Sequence, residues 1–378
     1  MERLAHRRGH LNGRDRPPGR GRVAVLAHHL PRLRIESCAP HWQRPSSYRQ
    51  SALEFKGGPL MSTIEVRRFR RDDRQQVTRL VNIHARAVIP GMATSVNAVM
   101  SQLERESGEF IVDAWVVERA TLVAEQRGRV VAASHVLRYA NAECVSDCYR
   151  NAGELRWFLF WPPAPYWPDS RQAADALMRA CLEQLERWGV TTQLADGALP
   201  LPGVYGVPEQ WPHIRSMYVS HGFVHEGHVE LVSMANVREI PRSEPPIAGM
   251  RIRRSVGING TRLTAILGDD ELGYVEVESR EAPGHQPLHG GWADIGNLHV
   301  VEAYRRKRVG TYLMGQAADW LDLARLDRVL DYAWPEEHVY DAFLRAVGFQ
   351  LLTRTERGWR RTPNSTVQAM ALTASVER

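Results

Sequence analysis

The sequence predicts an α/β fold of the mixed α+β type, arranged as two tandem domains that each hold a mostly antiparallel, twisted sheet flanked by helices. A length of 378 residues is enough for two domains with sizeable cores. Apolar residues repeat with strand and helix periods in alternation along the chain. The same order of elements then recurs after a proline-rich linker at residues 241–249.

The first unit, residues 61–240, begins with a predicted strand and a helix whose apolar residues recur at helical spacing. Pro90 and Gly91 end that helix. Three strands with short turns follow, which favours an antiparallel arrangement. The predicted elements are a strand at 64–69, helices at 77–88 and 98–106, strands at 115–118, 121–126, 130–138 and 155–161, a helix at 170–188, a strand at 190–195, a helix at 208–220 and a strand at 223–234.

The second unit, residues 250–378, repeats this order in shortened form. Its early strands form a meander, and a buried strand then leads into a helix that begins near Gly310. The predicted elements are strands at 250–254, 262–267, 274–279 and 294–301, a helix at 310–323, a strand at 328–332, a helix at 336–346 and closing strands from 349.

The net charge of +6 is carried by the first 60 residues. This leader holds twelve basic and four acidic side chains, a balance of +8, so the remaining chain stands at −2. We expect the leader, residues 1–60, to be disordered or to precede a true start at Met61, with an arginine-rich transit sequence as the alternative. The body has no basic footprint for nucleic acid and no apolar run of the ~20 residues that a membrane helix needs.

Cysteines are few in this chain: Cys38, Cys144, Cys148 and Cys181. They form no disulfide framework and suit a reducing, cytoplasmic compartment. Because Cys144 and Cys148 have no second pair of ligands at a suitable spacing, we predict no metal site.

The most informative segment is the basic turn between the strand at 294–301 and the helix at 310–323. Residues 305–308 are Arg-Arg-Lys-Arg, and Gly310 and Thr311 follow at the helix start. A helix N-terminus presents backbone N–H groups without intrahelical acceptors, and these groups attract phosphate with the help of the helix dipole. The turn therefore predicts a site for a phosphate-bearing ligand, with a solvated basic helix cap as the alternative.

The two units end alike. Residues 208–223 and 335–349 each contain a predicted helix closed by Gly-Phe, at Gly222-Phe223 and at Gly348-Phe349. The glycine supplies the C-terminal turn of the helix, and the phenylalanine starts the next strand. Two such ends in the same order indicate an internal repeat.

Together these patterns resemble the GCN5-related N-acetyltransferases, the GNAT superfamily, over nearly all of residues 62–375. Val300, Arg305 and Gly310 match the family's motif A, Val-x-x-x-x-Arg/Gln-x-x-Gly-x-Gly/Ala, and Arg308 stands where its first glycine is expected. The Gly-Phe helix ends resemble motif B. The resemblance implies two GNAT-like domains, of which the second, residues 250–378, is catalytic and binds acetyl-CoA. The first is degenerate, because residues 161–168 hold four prolines in place of the turn and lack their N–H donors.

The resemblance further implies which residues hold acetyl-CoA. The backbone of the strand at Leu298, His299 and Val300 would bind the pantetheine and acetyl groups, with one N–H polarising the thioester carbonyl. Arg308 fits the turn if its φ is ordinary, and its charge would favour the 3′-phosphate. The turn would hold the pyrophosphate through the N–H groups of Arg305, Arg306, Lys307, Arg308, Val309, Gly310 and Thr311.

Acetyl transfer to an amine needs a proton acceptor, and the thiolate leaving group uses an acid. Asp294, eleven positions before Arg305, lies where histone-type members of the family carry a glutamate base; an ordinary strand-end aspartate is the alternative. His299 is the second candidate base, with a packed histidine as its alternative. The family's acid is a tyrosine four residues before the glycine of Gly-Phe. Leu344 occupies that position here, so Tyr340, one helical turn earlier, is our candidate acid.

The sequence thus predicts an N-acetyltransferase that moves an acetyl group from acetyl-CoA to a primary amine of a small molecule by direct attack. We expect no partner among nucleic acids or membranes, and a monomer and a homodimer both stay open. Two alternatives also stay open. The chain could bind CoA or a small ligand without turnover, or the first domain could hold the active site with Tyr218, which occupies the tyrosine position that the second domain lacks.

Overall fold

The computed structural model describes residues 63–105, 115–162, 169–201, 203–258, 260–279 and 291–363. The leader at 1–60 lies outside the described residues, and so does our expectation for it. Most of the proline-rich turn of the first unit and the loop at 280–290 lie outside them as well.

Strands and helices alternate in the two predicted series. The strands are β1 Ile64–Arg68, β2 Val116–Gln126, β3 Arg129–Tyr139, β4 Ala152–Phe160, β5 Thr192–Leu194, β6 Val207–Pro208, β7 Val224–Asn236, β8 Arg251–Gly257, β9 Gly260–Leu267, β10 Asp270–Ser279, β11 Gly291–Val300, β12 Leu326–Ala333 and β13 Gln350–Arg361. The helices are α1 Arg74–Val88, α2 Val96–Glu104, α3 Ser170–Arg187, α4 Pro212–Ser220, α5 Val309–Leu323 and α6 His338–Ala346.

All thirteen described strands belong to one sheet, with the order β1-β2-β3-β4-β5-β13-β7-β12-β11-β10-β9-β8 and β6 paired with β13. Neighbouring strands are antiparallel except for two pairs, β4 with β5 and β11 with β12. The mixed, mostly antiparallel sheet flanked by helices confirms the predicted fold class.

The last strand of each half is exchanged. β7 closes the first half in sequence, yet it pairs with β12 of the second half. β13 closes the second half, yet it pairs with β5 of the first half. The two exchanged strands also pair with each other along most of their length, antiparallel, at the centre of the sheet. The predicted linker at 241–249 therefore separates the two halves in sequence, but β7 and β13 each pair with strands of the other half.

The exchange shapes both apolar cores. The core of the first half surrounds α1, α3 and α4 but also takes in Leu330, Tyr332 and Trp359 from the second half. The core of the second half surrounds α5 and α6 and includes Leu231 and Ala235 from the first half's β7. Neither half therefore has a complete core without the other.

Most predicted elements are confirmed, with three local differences. The strands predicted at 115–118 and 121–126 are one strand, β2, because β3 pairs along its whole length. The helix predicted from 208 begins at Pro212, since residues 207–208 pair with β13 instead. The closing strands predicted from 349 are the single strand β13.

The second half is shorter because it lacks the helices that cover one face of the first. Between β1 and β2 the first half carries α1 and α2, and α1 packs on β3 and β4. Between β8 and β9 the second half has only residues 258–259. The first half contacts β12 of the second half, since Arg328 Nη1 on β12 donates to the carbonyl of Pro90 at 3.2 Å.

Trp359 tests the strand exchange. It is only 1% exposed and its ring lies 5.8 Å from that of Tyr218 in the first half's core. We expect Trp359→Ala to lower the free energy of unfolding by about 3–5 kcal/mol in urea titrations, because it leaves a large cavity. Leu323→Ala, at a side chain that is 80% exposed, is the control and should cost no more than ~0.5 kcal/mol. Equal effects of the two variants would contradict the burial of Trp359 in this core.

Buried histidines in the first half make stability depend on pH. The neutral His84 ring donates from Nδ1 to the Leu80 carbonyl at 2.9 Å, so its Nε2 accepts a hydrogen bond from His213 Nε2 at 3.2 Å. Burial lowers the pKa of His84 to about 4 and that of His135 to about 3.

Since both pKa values lie below the unfolded value, this stability is present above pH 6.5 and is lost as pH falls towards 4. We expect urea titrations at pH 7 and pH 4.5 to differ by about 2–3 kcal/mol for each of the two histidines. His84→Gln should reduce this difference. A pH dependence that the substitution leaves unchanged would contradict the assignment.

Candidate functional site

A gap opens between β11 and β12 in the second half. The two strands pair in parallel only from Gly291 to Asp294, whose partner is Leu330. Beyond Asp294, no described strand pairs with this edge of β11, while β10 continues along its other edge to Val300. A register shift opposite Glu276 and Val277 leaves Gly296 as a bulge, and a bulge bends its strand. Strand divergence thus begins at the predicted base.

The basic turn lies where β11 ends. A short 3₁₀ turn at Glu302–Tyr304 leads into it, and Arg305 Nε donates to the carbonyl of Val300 at 3.1 Å. Arg306, Lys307 and Arg308 are exposed. The turn therefore places three solvent-facing cations next to the open edge of β11.

Helix α5 presents its N-terminus at this turn. Tyr312 N–H donates to the Arg308 carbonyl, so the N–H groups of Val309, Gly310 and Thr311 precede the first helical hydrogen bond. No side chain caps this end of the helix. The arrangement can accept a phosphate, because unsatisfied N–H groups, the helix dipole and the cations all favour a negative charge there.

Arg308 departs from our expectation. The φ angle of Arg308 is +61°, and that of Arg306 is +60°. The condition under which Arg308 was expected to fit the turn, an ordinary φ, is therefore not met. The backbone keeps the left-handed conformation that the family's glycine would supply, and a non-glycine residue there costs about 1–2 kcal/mol. The turn therefore adopts a backbone conformation typical of glycine and carries the charge of an arginine.

Gly310 matters for packing. A Cβ on Gly310 would stand 3.4 Å from Phe343 of α6 and 3.7 Å from Val300 of β11. These distances are ordinary van der Waals contacts, so an alanine would fit there and pack against both neighbours. The matched position of the motif thus holds α5 close to the end of β11.

Asp294 is fully buried, on the face of the sheet that turns towards the first half. Its Oδ1 accepts a hydrogen bond from the hydroxyl of Tyr332 at 3.1 Å. Tyr332 in turn lies against Tyr205 of the first half, with ring centroids 5.8 Å apart. The candidate base is therefore held at the junction of the two halves.

His299 lies on the same face of β11, half-buried, with its ring 5.7 Å from that of Tyr274. Burial, followed by the charges of Arg305 and Arg262, lowers the pKa of His299 below its usual value. The imidazole is therefore neutral near pH 7 and able to accept a proton. The structure does not bring it into contact with Asp294.

Tyr340 points to the opposite face. It is buried, and its hydroxyl donates to Asp331 Oδ2 at 2.6 Å. Leu344, at the family's tyrosine position, is fully buried among apolar side chains. Asp331 and Tyr332 are neighbours on β12 and point to opposite faces. The candidate acid and the candidate base therefore flank the gap from its two sides.

The first half repeats this gap, with Glu154 in the place of Asp294. Parallel pairing of β4 with β5 ends at Glu154, which accepts hydrogen bonds from the hydroxyl of Tyr139 and, at 3.4 Å, from Arg156. Tyr218 is buried beside a cavity of about 10 Å³, the space of about one water molecule. Burial raises the pKa of the Tyr218 hydroxyl. Its surroundings do not favour an active site in the first half.

Sequence patterns gave no sign of Tyr332 and Tyr205. Tyr332 ends a predicted strand, and nothing in its spacing places it next to Asp294. Tyr205 lies between predicted elements, in a stretch with no period. Only the register of β11 with β12 and the exchange of strands bring these two residues to the candidate base.

Two repeated units that share one sheet with exchanged strands, each with a gap after a short parallel pair, form a fold that resembles solved tandem GNAT structures. The chain is similar to a tandem GNAT protein from the clavulanic acid biosynthesis pathway, with a TM-score of 0.57 and 15% identity over 79% of this chain and 98% of that one. It is also similar to a GCN5-related N-acetyltransferase from Sphaerobacter thermophilus, with a TM-score of 0.50 and 13% identity over 79% and 95%.

A third similar structure is the GCN5-related glucosamine N-acetyltransferase region of a fungal multi-domain GH3 β-N-acetylglucosaminidase. The TM-score is 0.55 at 13% identity, over 79% of this chain but only 38% of the fungal chain. No family model matches the sequence, and no curated protein matches it. These similarities confirm the tandem GNAT fold.

Within the described residues, no helix is long and apolar enough to cross a membrane. The same part of the chain holds no cluster of three His, Cys, Asp or Glu side chains arranged for a metal ion.

Arg308→Gly tests the strained turn. The change removes the left-handed strain but adds flexibility to the unfolded chain, so we expect the free energy of unfolding to stay unchanged or rise by up to ~1 kcal/mol. Lys307→Gly is the matched control, because Lys307 is not among the residues with positive φ. It should lower the free energy of unfolding by roughly 0.5–1 kcal/mol. Equal losses in the two variants, measured by urea titration, would contradict the strain.

Proposed function

We propose that this protein is an acetyl-CoA-dependent N-acetyltransferase that acts on a primary amine of a small molecule, with its active site in the second half. The observation that carries the proposal is the gap at Asp294, followed within the same strand and turn by an uncapped, basic helix N-terminus. The GNAT fold supports acetyl transfer in general. The acceptor and the catalytic residues are our assignment.

The donor would lie along the open edge of β11. In this assignment the main chain from Leu298 to Val300 holds the pantetheine and acetyl groups. The turn and the first N–H groups of α5, from Arg305 to Thr311, hold the pyrophosphate. Arg306, Lys307 and Arg308 add charge, which strengthens the attraction for the phosphates.

The chemistry is direct attack. The amine nitrogen attacks the thioester carbonyl, a tetrahedral intermediate forms, and the CoA thiolate leaves as the amide is made. The ammonium proton passes to Asp294, directly or through a water, because Asp294 is the carboxylate at which the parallel pairing ends and the gap begins. His299, neutral near pH 7, is the second candidate for this proton.

Protonation of the thiolate is assigned to Tyr340, on the opposite face of the gap. Its hydroxyl hydrogen bonds to Asp331, so it must leave this carboxylate or relay a proton from it. The base lies on one face and the acid on the other. This arrangement suits a reaction in which the C–N bond forms on one side of the carbonyl carbon and the C–S bond breaks on the other. The free thiols of Cys144, Cys148 and Cys181 support a reducing compartment such as the cytoplasm.

A second candidate is a protein that binds CoA without turnover. Leu344 in the tyrosine position and the engaged hydroxyl of Tyr340 favour it. Release of free thiol from acetyl-CoA over a library of primary amines separates the two candidates. The library should include glucosamine, since the fungal structural neighbour is described as a glucosamine N-acetyltransferase. Tight CoA binding with no thiol release would favour the binding protein.

Asp294→Asn tests the base. Asparagine keeps an oxygen that can accept from Tyr332, so the fold is preserved while the proton acceptor is lost. We expect kcat/KM for thiol release to fall by about 10²–10⁴-fold, with the Kd for CoA unchanged.

Glu154→Gln is the matched control, because Glu154 is the counterpart of Asp294 in the first half and also accepts from a tyrosine. It should retain activity. Equal losses in the two variants would contradict the role of Asp294. A larger loss in Tyr218→Phe than in Asp294→Asn would move the active site to the first half.

A further inference from the structure

The two halves build the same gap from the same parts. In the first half, parallel pairing ends at Glu154, and the register shift opposite His135 and Val136 leaves Arg156 as a bulge. In the second half, pairing ends at Asp294 and the bulge is Gly296. Each carboxylate thus stands two residues before the bulge at which the strands part.

The gap in the first half is filled by the chain itself. Ala198 N–H donates to the carbonyl of Arg156 at 2.7 Å. A Cβ on Gly197 would stand 1.7 Å from that same oxygen, so only a glycine backbone fits there. Gln102 Nε2 donates to the Ala198 carbonyl at 3.1 Å and fixes the segment from the other side. Backbone of the protein therefore occupies the strand edge along which a pantetheine would lie.

The connection between strand and helix explains the difference. In the first half, residues 195–211 join β5 to α4, and Gly197 and Ala198 of this connection enter the gap. In the second half, residues 334–337 join β12 to α6 and close on themselves, since Trp334 N–H donates to Glu337 Oε2 and Glu337 N–H donates to the Trp334 carbonyl. That connector is too short to follow the same path.

The filling segment continues to the candidate base of the other half. A Cβ on Gly203 would lie 2.6 Å from Leu330 and 3.8 Å from the Tyr332 hydroxyl. Tyr205 meets Tyr332 edge to face at 5.8 Å, and Tyr332 donates to Asp294. One segment of the first half therefore touches both gaps.

Tyr205 is held firmly in this position. The hydroxyl of Thr355, on β13, donates to its carbonyl. The guanidinium carbon of Arg357 lies 5.6 Å from the centre of its ring. Arg357 is itself fixed by Asp196 at 2.8 Å and by Glu230 at 2.9 Å. The half-buried ring of Tyr205 is thus a preorganised surface next to the buried pair of Tyr332 and Asp294.

Charge around this surface favours a cation. Asp294, Asp196 and Glu230 supply three carboxylates along the line of contacts from β11 to β13, and Arg357 pairs with the last two of them. A net negative field attracts an ammonium group, and tyrosine ring faces add to that attraction.

We propose that residues 197–201 and 203–206 close the donor slot of the first half and serve instead as the amine-side wall of the second half's site, where Tyr205 selects a small cationic amine. The proposal rests on the acetyl transfer proposed above. It assigns one donor site to each chain and makes Tyr205 a specificity-determining residue supplied by the non-catalytic half.

Titration calorimetry of the full chain with CoA tests the closed slot. We expect one CoA per chain, and no detectable binding after the double change Arg306→Glu and Lys307→Glu, which reverses two exposed charges in the second-half turn. Two CoA molecules per chain, or binding that survives the double change, would overturn the proposal. So would a wild-type chain that binds no CoA.

Calorimetry with amines tests the wall. The CoA complex is titrated with ethanolamine, putrescine, phenethylamine and glucosamine. We expect Tyr205→Ala to change the ratio of affinities between the largest and smallest bound amines by about tenfold or more. Tyr205→Phe, the matched control, keeps the ring and should change that ratio by less than about threefold. An unchanged ratio in Tyr205→Ala, or no amine bound by the wild type, would overturn the proposal.

Thiol release, measured on the same proteins, keeps this inference apart from the proposed function. If amine selectivity depends on Tyr205 but no thiol is released, the proposed acetyl transfer is contradicted and the role of Tyr205 is supported. If thiol is released but amine selectivity does not change with Tyr205, acetyl transfer is supported and the role of Tyr205 is contradicted.

Discussion

Antiparallel pairing of β7 with β13 is the constraint on which the rest of the structure depends. This pairing joins the closing strands of both halves at the centre of the sheet, and it fixes β12 beside β7 and β5 beside β13. It also carries Trp359 into the core of the first half. Because the strands are exchanged, Tyr332 faces the first half and supports Asp294 there. The candidate site is thus a product of the exchange and not of either half alone.

The two repeated units share the same arrangement of strands around the gap but differ in what lies in it. Each has a short parallel pair, a bulge and a carboxylate at the same distance from it. In the first half, the long connection after β5 enters the gap and satisfies the carbonyl of Arg156 with a protein N–H group. In the second half, the gap leads to a helix whose N-terminus no side chain caps. The N–H groups in the first turn of this helix are therefore available to a ligand in the second half.

Local patterns were enough to predict most helices and strands, because their apolar residues follow the periods that each element buries. The basic turn and the two Gly-Phe helix ends were also predictable, because a run of charges and a glycine at a helix end are local sequence signals. The partner of a closing strand was not. β7 and β13 follow equivalent helices, so sequence alone does not say which of the two central positions each strand takes. The contact of Tyr332 with Asp294 depends on strand register, and the left-handed φ of Arg308 depends on the turn that holds it.

The exchange has a consequence for the order in which the chain folds during synthesis. Domains near the N-terminus generally fold first, as they leave the ribosome. Here the edge of β5 stays without its neighbour until residues 350–361 have been made, because β13 is the strand that covers it. An uncovered strand edge invites pairing with other chains. The nascent first half therefore keeps the edge of β5 uncovered while the second half is synthesised. The strand that finally covers this edge cannot protect it from pairing with other chains during that interval.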